Sequence, residues 1–524
     1  MYKNEIVEVN IEDIGASGEG IGKVDGFPLF IKDAIIGDRI KAKITKLNKS
    51  YGFARVEEII TPSPFRVKPR CPIARPCGGC QIQEMDIKKQ LEFKEKKVFE
   101  HLKRIGGFSE EKLSKLIEPI IGMENPFNYR NKASFPFGRN KNGEIVTGFY
   151  AGRTHSIIPS TDCHIGVGIN KKILEIILDY LKKNKISPYD ENTGKGILRH
   201  ALLRYGFKTH EIMVCLVINS NKSSVLRNNK SLIHELKKLP GMTSILVNFN
   251  TKKTNVIMGE KCETLWGRGY IMDVLSYTPL SKTIAVRRNL NEIEKEDEIK
   301  KVDEIEKIAE IEKRDKKRDL KEIENIKIQI SPLSFYQVNP VQTEKLYALA
   351  LEYADLKGKE VVWDLYCGIG TISLFLSAHA KKVIGVEVIP GAIADAKTNA
   401  KINGIKNVEF ITGKSEEVFT DYYKTAFGKN EISKEAPDML AINSPDVVVL
   451  DPPRKGCEAK LLDAIIKNAP KKIVYISCDS ATLARDLKIL CEEEYELLKV
   501  RPVDLFPMTV HCEVITLLVK KVTS

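Results

Sequence analysis

From residue 331 onward, apolar stretches of strand length alternate with stretches of helical pattern. The strand-like stretches are "EVVWDLYC", "KKVIGVEV", "NVEFITG", "PDVVVLDPP", "KKIVYISC" and "CEVITLLVKK". Stretches such as "GTISLFLSAHA" and "PGAIADAKTNAKING" stand between them and have helical patterns. Strands that alternate with helices are typical of a parallel α/β sheet, which binds ligands at the carboxyl ends of its strands. We therefore predict the α/β fold class and search those strand ends for chemistry.

A glycine-containing turn follows the first predicted strand and indicates a cofactor with a nucleoside part. Gly368 and Gly370 let the backbone approach a ligand, although Ser373 replaces the third glycine of a dinucleotide motif. Glu387 ends the next strand, about 20 residues on, where an acid binds ribose hydroxyls. NAD and S-adenosylmethionine both fit, and an ordinary turn is the alternative. The terminal run "YELLKVRPVDLFPMTVHCEVITLLVKK" predicts a closing strand hairpin, which favours an S-adenosylmethionine-dependent methyltransferase.

Three reactive side chains stand at predicted strand ends: Asp451, Cys478 and Glu513. A cysteine before a helix N-terminus can have a lowered pKa, but a buried structural cysteine is the alternative. A carboxylate in an apolar strand needs a partner or a function, and for Glu513 the alternative is a salt bridge. With a methyl donor, the set indicates methylation of a pyrimidine at C5. A thiolate would add to C6, C5 would take the methyl group, and a base would remove the C5 proton.

The chain ahead of the α/β region divides into segments with different patterns. Short strands with glycine corners predict a five-stranded OB-like barrel, and residues 84–105 have helical spacing. A mixed α+β pattern follows, with a charged insert at 288–325 whose composition predicts a solvated helical or disordered segment. We expect this insert to extend a hairpin before the α/β region. We predict domains at 1–60 (barrel), 61–125 (cysteine-containing loop and helix), 126–330 (α+β) and 331–524 (α/β).

Charge and apolar content limit the partners and the compartment. The net charge of +13 and the pI near 9.0 favour a polyanion such as RNA. No apolar leader or long uncharged apolar run is present, so we expect a cytoplasmic protein with no membrane partner. The 11 cysteines are not expected to form disulfides in that compartment.

The stretch "CPIARPCGGC" places Cys71, Cys77 and Cys80 within ten residues. Three ligands are one short of a closed tetrahedral site, and Cys163 in "STDCHIG" is a candidate for the fourth. His164 beside it keeps zinc open, so the residues alone leave zinc and an iron–sulfur cluster equally favoured.

Five motifs in order resemble those of the RNA 5-methyluridine methyltransferases of the TrmA/RumA type. They are "ISPLSFYQVNPVQTEKLY", "DLYCGIGTISL", "VLDPPRKGC", "YISCDSATLARDL" and "HCEVITLL", and the resemblance covers nearly the whole chain. It implies a Rossmann-like class I methyltransferase domain with an N-terminal OB-like TRAM barrel and a central α+β domain. It implies Cys478 as nucleophile and Glu513 as base. The residues that match cofactor positions are Gln337, Tyr366, Glu387 and Asp451, of which Asp451 alternatively contacts the uracil.

The resemblance also implies a 4Fe–4S cluster and an RNA substrate. The implied cluster ligands are Cys71, Cys77, Cys80 and Cys163. The barrel together with the cysteine cluster resembles the 23S rRNA enzymes more than the tRNA enzymes, which remain the alternative, and we expect a monomer. Where the family pattern is Ser-Cys-Asn-Pro, this chain has Ser-Cys-Asp-Ser at 477–480, which puts the rigidity of that loop in doubt.

Two other functions compete with this interpretation. An amino-methyltransferase of adenine or guanine would carry an aromatic residue after Pro-Pro, where this chain has Arg454. A non-catalytic, metal-containing RNA-binding protein would not need the three strand-end residues. Candidates for RNA contact in "NPFNYRNKASFPFGR" are Phe127, Tyr129, Arg130, Lys132, Phe135 and Arg139, with a core position as the alternative for Phe135 and Phe137.

Overall fold

The computed structural model describes residues 1–152, 154–277, 325–420, 445–492 and 494–522. The strands are β1 Ile6–Ile14, β2 Gly20–Val24, β3 Phe27–Lys32, β4 Arg39–Leu47, β5 Gly52–Thr61, β6 Lys132–Arg139, β7 Ile145–Tyr150, β8 Ile157–Pro159, β9 Leu198–Tyr205, β10 Ile212–Ile218, β11 Met242–Phe249, β12 Lys261–Gly267, β13 Ile271–Ser276, β14 Asn325–Ile330, β15 Val361–Leu365, β16 Lys382–Glu387, β17 Val408–Thr412, β18 Val447–Leu450, β19 Lys472–Ser477, β20 Tyr495–Val503 and β21 Glu513–Lys520. The helices are α1 Ile87–Arg104, α2 Glu110–Leu116, α3 Ile169–Lys183, α4 Asn229–Lys237, α5 Pro340–Ala354, α6 Thr371–Ser377, α7 Pro390–Ile402, α8 Ala459–Asn468 and α9 Ser480–Glu492.

The first five strands close into a barrel, as the sequence predicts, and the structure gives the strand order β1-β2-β3-β5-β4. Every second residue of a strand points inward, so Val9 and Ile11, and Leu29 and Ile31, form the barrel core. Strand β3 pairs with β5 in parallel, whereas the other pairs are antiparallel. The loop that follows the barrel leads into α1, which confirms the predicted helix.

The central part is a seven-stranded sheet in the order β12-β11-β10-β9-β6-β7-β8. Strand β10, the third in this order, is buried along its whole length, because helices α3 and α4 cover one face and the last part of the chain covers the other. Strands β13 and β14 pair antiparallel on either side of the charged insert. The insert itself, apart from its last residue, lies outside the described residues.

The last part is a second seven-stranded sheet, ordered β17-β16-β15-β18-β19-β21-β20. Strands β15 to β19 run parallel, and β21 pairs antiparallel with both β19 and β20, which confirms the predicted closing hairpin. The strand order reverses between β15 and β18. Ligands bind outside the carboxyl ends of the strands at such a switch point.

None of the helices in the described ranges combines the length and the apolar character that crossing a bilayer requires.

Candidate active site

A cavity of about 670 Å³ opens at the carboxyl edge of the second sheet. Of the eight residues predicted for catalysis and cofactor binding, seven line it: Gln337, Tyr366, Gly368, Glu387, Asp451, Cys478 and Glu513. They come from four parallel strand ends, from the start of antiparallel β21, and from the loop before α5. The fold therefore brings the predicted cofactor residues and the predicted reacting residues to one cavity.

Gly370 is the predicted residue that does not line the cavity. Its φ is +81°, and a Cβ there would lie 2.8 Å from the Phe410 ring and 3.1 Å from Ala396. It therefore packs the turn between β15 and α6 against the sheet. Gly368, with a φ of +56°, has no atom within 4 Å of its would-be Cβ and faces open space.

Glu387 orders the glycine turn through its carboxylate. Oε2 accepts a hydrogen bond from the Gly368 backbone N–H (3.3 Å), and Oε1 accepts one from Ile389 (2.9 Å). The backbone N–H of Tyr366, whose φ is +72°, donates to the Val386 carbonyl. Strand β16 thus holds the turn at the end of β15, and the carboxylate of Glu387 stands at the cavity wall.

Gln337 lies in the segment that joins β14 to α5. Its backbone carbonyl accepts a hydrogen bond from Asn131 Nδ2 at 2.9 Å. Asn339, two residues on, caps α5 by accepting from the Gln342 N–H, and its Nδ2 donates to the Leu505 carbonyl. This segment is therefore held by the central sheet on one side and by the β20–β21 connection on the other.

Cys478 follows β19 and precedes α9, but its thiol is not acidic. Burial, with the charges of Glu513 and Asp451, raises its pKa to about 12 against the opposing charge of Arg454. The expectation of a pKa lowered by the helix N-terminus is therefore wrong. Desolvation and two carboxylates outweigh the partial charge of the helix end, so the resting side chain is a neutral thiol.

Two carboxyl groups share this end of the cavity with elevated pKa values. Burial raises the pKa of Asp451 to about 7, with a contribution from the charge of Asp364. Burial also raises the pKa of Glu513 well above its usual value, and the Asp451 charge adds to the shift. Glu513 is 3% exposed, and its Oε2 has no hydrogen-bond partner among the described residues. Among the described residues, Glu513 therefore forms no salt bridge, which was the alternative interpretation.

Three residues that the sequence analysis did not assign to the site belong to this environment. Arg454 and His511 line the cavity and also line a second one of about 1050 Å³. Asp364 on β15 is fully buried, and its Oδ1 lacks a hydrogen-bond partner in the described part of the chain. Arg454 had a sequence signal, since it directly follows the prolines after Asp451. Asp364 had one too, as a charge inside an apolar strand.

The second cavity runs from the barrel toward the catalytic cavity. Its lining includes Phe30, Lys32, Phe53 and Arg55 of the barrel and reaches Arg454. The rings of Phe30 and Phe53 lie 5.8 Å apart and belong to an aromatic group on the barrel wall. Because the two cavities share wall residues, the barrel surface is continuous with the catalytic one.

The four cysteines proposed as a ligand set are brought into electrostatic reach of one another. Burial, with contributions from Cys163, Cys77 and Cys71, raises the pKa of the Cys80 thiol to about 12. Even so, no group of three or more His, Cys, Asp or Glu side chains in the described ranges is arranged to hold a metal ion.

The candidates for RNA contact at 127–139 divide by burial. Tyr129 is fully buried and its hydroxyl donates a hydrogen bond to the Pro507 carbonyl, so the prediction that Tyr129 contacts RNA is wrong. Phe135 and Phe137 are core residues, which confirms the alternative interpretation of these two rings. Burial lowers the pKa of Lys132 to about 8, and Arg139 is exposed.

Comparison with known families identifies both ends of the chain. A family model described as tRNA (Uracil-5-)-methyltransferase matches residues 298–521, and a TRAM domain model matches residues 1–56. An uncharacterized RNA methyltransferase of Clostridium acetobutylicum is 45% identical, over 98% of this chain and 97% of its own. Another from Listeria innocua is 42% identical over 99% of both chains.

A solved structure shares the fold. The Pyrococcus abyssi tRNA (uracil-54, C5)-methyltransferase in complex with S-adenosyl-L-homocysteine superposes with a TM-score of 0.67 at 23% identity, over 98% of this chain and 99% of that one. The TRAM barrel and the methyltransferase sheet are thus confirmed. By these matches and its full-length relatives, the chain belongs to the RNA (uracil-5-)-methyltransferase family.

Proposed function

We propose that the protein forms 5-methyluridine in RNA with Cys478 as nucleophile, Glu513 as base and S-adenosylmethionine as methyl donor. The observation that carries the proposal is the single cavity lined by the glycine turn and Glu387 on one side and by the reacting residues on the other. Its volume is in the range of cavities that bury a ligand of cofactor size.

The residues around the glycine turn fit S-adenosylmethionine. When bound, this cofactor supplies an electrophilic methyl group. Gly368 leaves open space for a close backbone approach, and the carboxylate of Glu387 can accept hydrogen bonds from ribose hydroxyls. Tyr366 and Gln337 complete the wall. The S-adenosyl-L-homocysteine in the Pyrococcus abyssi structure supports the same assignment.

The reacting residues fit an addition–elimination reaction at uracil. The Cys478 sulfur bonds to C6 while its proton passes to a carboxylate, for which Asp451 with a pKa of about 7 is suited. C5 then has enolate character and takes the methyl group. Glu513 Oε2, which lacks a hydrogen-bond partner among the described residues, accepts the C5 proton. The S–C6 bond breaks, and the sulfur recovers a proton.

Substitution of Cys478 tests this assignment. We expect Cys478→Ala to abolish transfer of labelled methyl groups to RNA while RNA binding is kept, because addition of the Cys478 sulfur to C6 is the step that activates C5. Cys491→Ala, in the same helix region but outside the cavity, serves as the matched control and should retain activity. Normal turnover by Cys478→Ala on a uridine substrate would overturn the mechanism.

We propose 23S rRNA as the substrate, on the combination of TRAM barrel and cysteine cluster. The second candidate is tRNA, which the family model and the Pyrococcus abyssi enzyme name. RNA from a strain lacking this protein, separated by size and incubated with the enzyme and labelled cofactor, distinguishes them. Label in 23S rRNA supports the proposal, whereas label confined to tRNA contradicts it. We also propose that the protein is a monomer, which light scattering tests.

We propose that Cys71, Cys77, Cys80 and Cys163 bind a 4Fe–4S cluster. All four are partly buried, and Cys80 and Cys163 pack against apolar Tyr129 and Met508. Cys163, Cys77 and Cys71 interact electrostatically with Cys80, and four cysteine thiolates are the usual ligands of such a cluster. An anaerobic preparation should be brown and contain iron and sulfide, and Cys80→Ser should lose both. A colourless preparation without iron contradicts the cluster, and one that contains zinc favours the other metal.

A further inference from the structure

Helix α1 carries a row of polar side chains on the face that it buries. Gln90, Lys94, Lys97 and His101 are spaced by four, three and four residues, which places them on one side of the helix. Gln90 is 1% exposed and Lys94 is fully buried. Buried polar groups are costly unless they are hydrogen-bonded, so the partners of this row indicate its role.

The first half of the row binds the segment that connects β20 to β21. Gln90 Oε1 accepts a hydrogen bond from the Met508 backbone N–H at 3.2 Å. Lys94 Nζ donates to Asp504 Oδ1 at 2.6 Å and to the Phe506 carbonyl at 3.1 Å. Lysine and aspartate here form an ion pair with almost no exposure, which fixes the geometry more strictly than a surface pair does.

The next residue of the row extends this contact toward the proposed base. Lys97 Nζ donates to the Val510 carbonyl at 3.2 Å, three residues before Glu513. The segment 504–510 therefore has contacts to α1 along its whole length. Glu513 begins β21 directly after this anchored segment.

The last residue of the row contacts the start of the helix that follows the proposed nucleophile. His101 Nδ1 is hydrogen-bonded to Ser480 Oγ at 2.8 Å. Ser480 is 6% exposed, begins α9 and stands two residues after Cys478. Burial lowers the pKa of His101, so the ring forms this hydrogen bond as a neutral imidazole.

We propose that α1 is the positioning element of the active site, because its polar row fixes the loops that carry Cys478 and Glu513. His101 acts as a positioning residue for Cys478 through Ser480, and Lys94 and Lys97 act in the same way for Glu513. The inference rests on the proposed function, since it takes these two residues as the reacting groups. It assigns a role in catalysis to a helix that does not line the cavity.

The hydrogen bond to His101 also accounts for a serine at the start of α9. A proline at the first position of a helix has φ already fixed near the helical value and loses no hydrogen bond. Serine lacks that constraint, so the turn after Cys478 depends on a contact from another element. Asp479 gives local support, since its Oδ1 accepts from the backbone N–H groups of Ala481 and Thr482. His101 provides the external contact.

Kinetics of His101 and Ser480 variants of the full chain test the proposal. His101→Ala and Ser480→Ala each remove the hydrogen bond, and we expect kcat to fall about tenfold or more because small misplacements of reacting groups are costly. KM for RNA and for S-adenosylmethionine should stay within about twofold. Ser480→Pro should restore most of the kcat of His101→Ala, since proline supplies the constraint covalently. Glu92→Ala, exposed on the same helix, is the matched control.

The outcomes separate this inference from the proposed function. If both single variants keep the parent kcat while Cys478→Ala is inactive, the positioning role is wrong and the nucleophile stands. The positioning role is also wrong if adding Ser480→Pro to His101→Ala does not restore kcat, or if the single variant Ser480→Pro is inactive. If His101→Ala strongly lowers the thermal midpoint of unfolding, its kcat does not report on positioning alone. The kcat of Ser480→Ala, a smaller change that removes the same hydrogen bond, then decides whether the positioning role holds. Activity of Cys478→Ala would instead remove the proposed function itself.

Discussion

Asp451 and Glu513 show how single residues acquire their chemistry from neighbours that the sequence places far apart. Both carboxyl groups titrate above their usual range because the fold withdraws them from water and sets them near other acids. The strand-end positions of both residues could be predicted, because parallel strands end at one edge. The neutral state of the Cys478 thiol could not be predicted from the sequence, because its pKa depends on burial and on charges from three strands.

At the same scale, Asp451→Asn should shift the acidic limb of the pH profile of adduct elimination toward lower pH. Glu513 must be ionised to accept the C5 proton, and the negative charge of Asp451 raises the Glu513 pKa. Removal of that charge lowers the pKa, so the base becomes available at lower pH. Release of methylated RNA from the covalent adduct, followed across pH 5–9 in a single turnover, measures the apparent pKa of the elimination step, independently of any fall in amplitude. A limb that stays in place or moves upward would contradict the assigned coupling.

At the scale of elements, the strands and helices of the catalytic sheet were predictable and the role of α1 was not. Alternation of apolar strands and helices has one common solution, which the structure adopts. The polar row of α1 contains no local signal, because its partners lie far along the chain: Lys94 and Asp504 are 410 residues apart. Only the tertiary structure shows why a helix keeps a buried lysine.

The turn between β15 and α6 gives a prediction about its two glycines. Gly370→Ala should destabilise the protein by about 1–3 kcal/mol, because a Cβ meets Phe410 and Ala396 at a positive φ. In Gly368→Ala only the positive φ opposes the new side chain, so the stability of the protein should fall by about 1 kcal/mol. This variant should weaken S-adenosylmethionine binding more than Gly370→Ala does. Chemical denaturation and calorimetric titration separate the two effects. Equal losses of stability and of affinity in both variants would count against the assigned division of roles.

At the scale of the whole molecule, the barrel, the cysteine-containing loop and the catalytic sheet meet around two connected cavities. The barrel and the α/β domain were each predictable from local patterns. Their arrangement was not, because no local pattern specifies which barrel face turns toward Arg454. The same limit explains Tyr129, whose aromatic ring fits RNA contact by composition but which the packing of Ile165 and Met508 buries.

The connected cavities predict a basic path for RNA from the barrel to Cys478. Lys32→Ala and Arg55→Ala, both exposed on the wall of the second cavity, should weaken RNA binding and each reduce the salt slope by about one. Lys23→Ala, on the barrel but outside that cavity, is the control. Binding measured over a series of salt concentrations checks this. An unchanged slope for both cavity variants would place the RNA elsewhere on the molecule.

The most direct test of the central claim is the fate of the covalent adduct in Glu513→Gln. Glutamine keeps the shape of the side chain but cannot accept the C5 proton, so elimination of Cys478 from C6 should stop after methyl transfer. We expect a protein–RNA species that survives denaturing electrophoresis, carries the labelled methyl group and is absent from Glu513→Gln/Cys478→Ala. Full turnover by Glu513→Gln, or a stalled enzyme with no adduct, would contradict the assignment of Glu513 as the base.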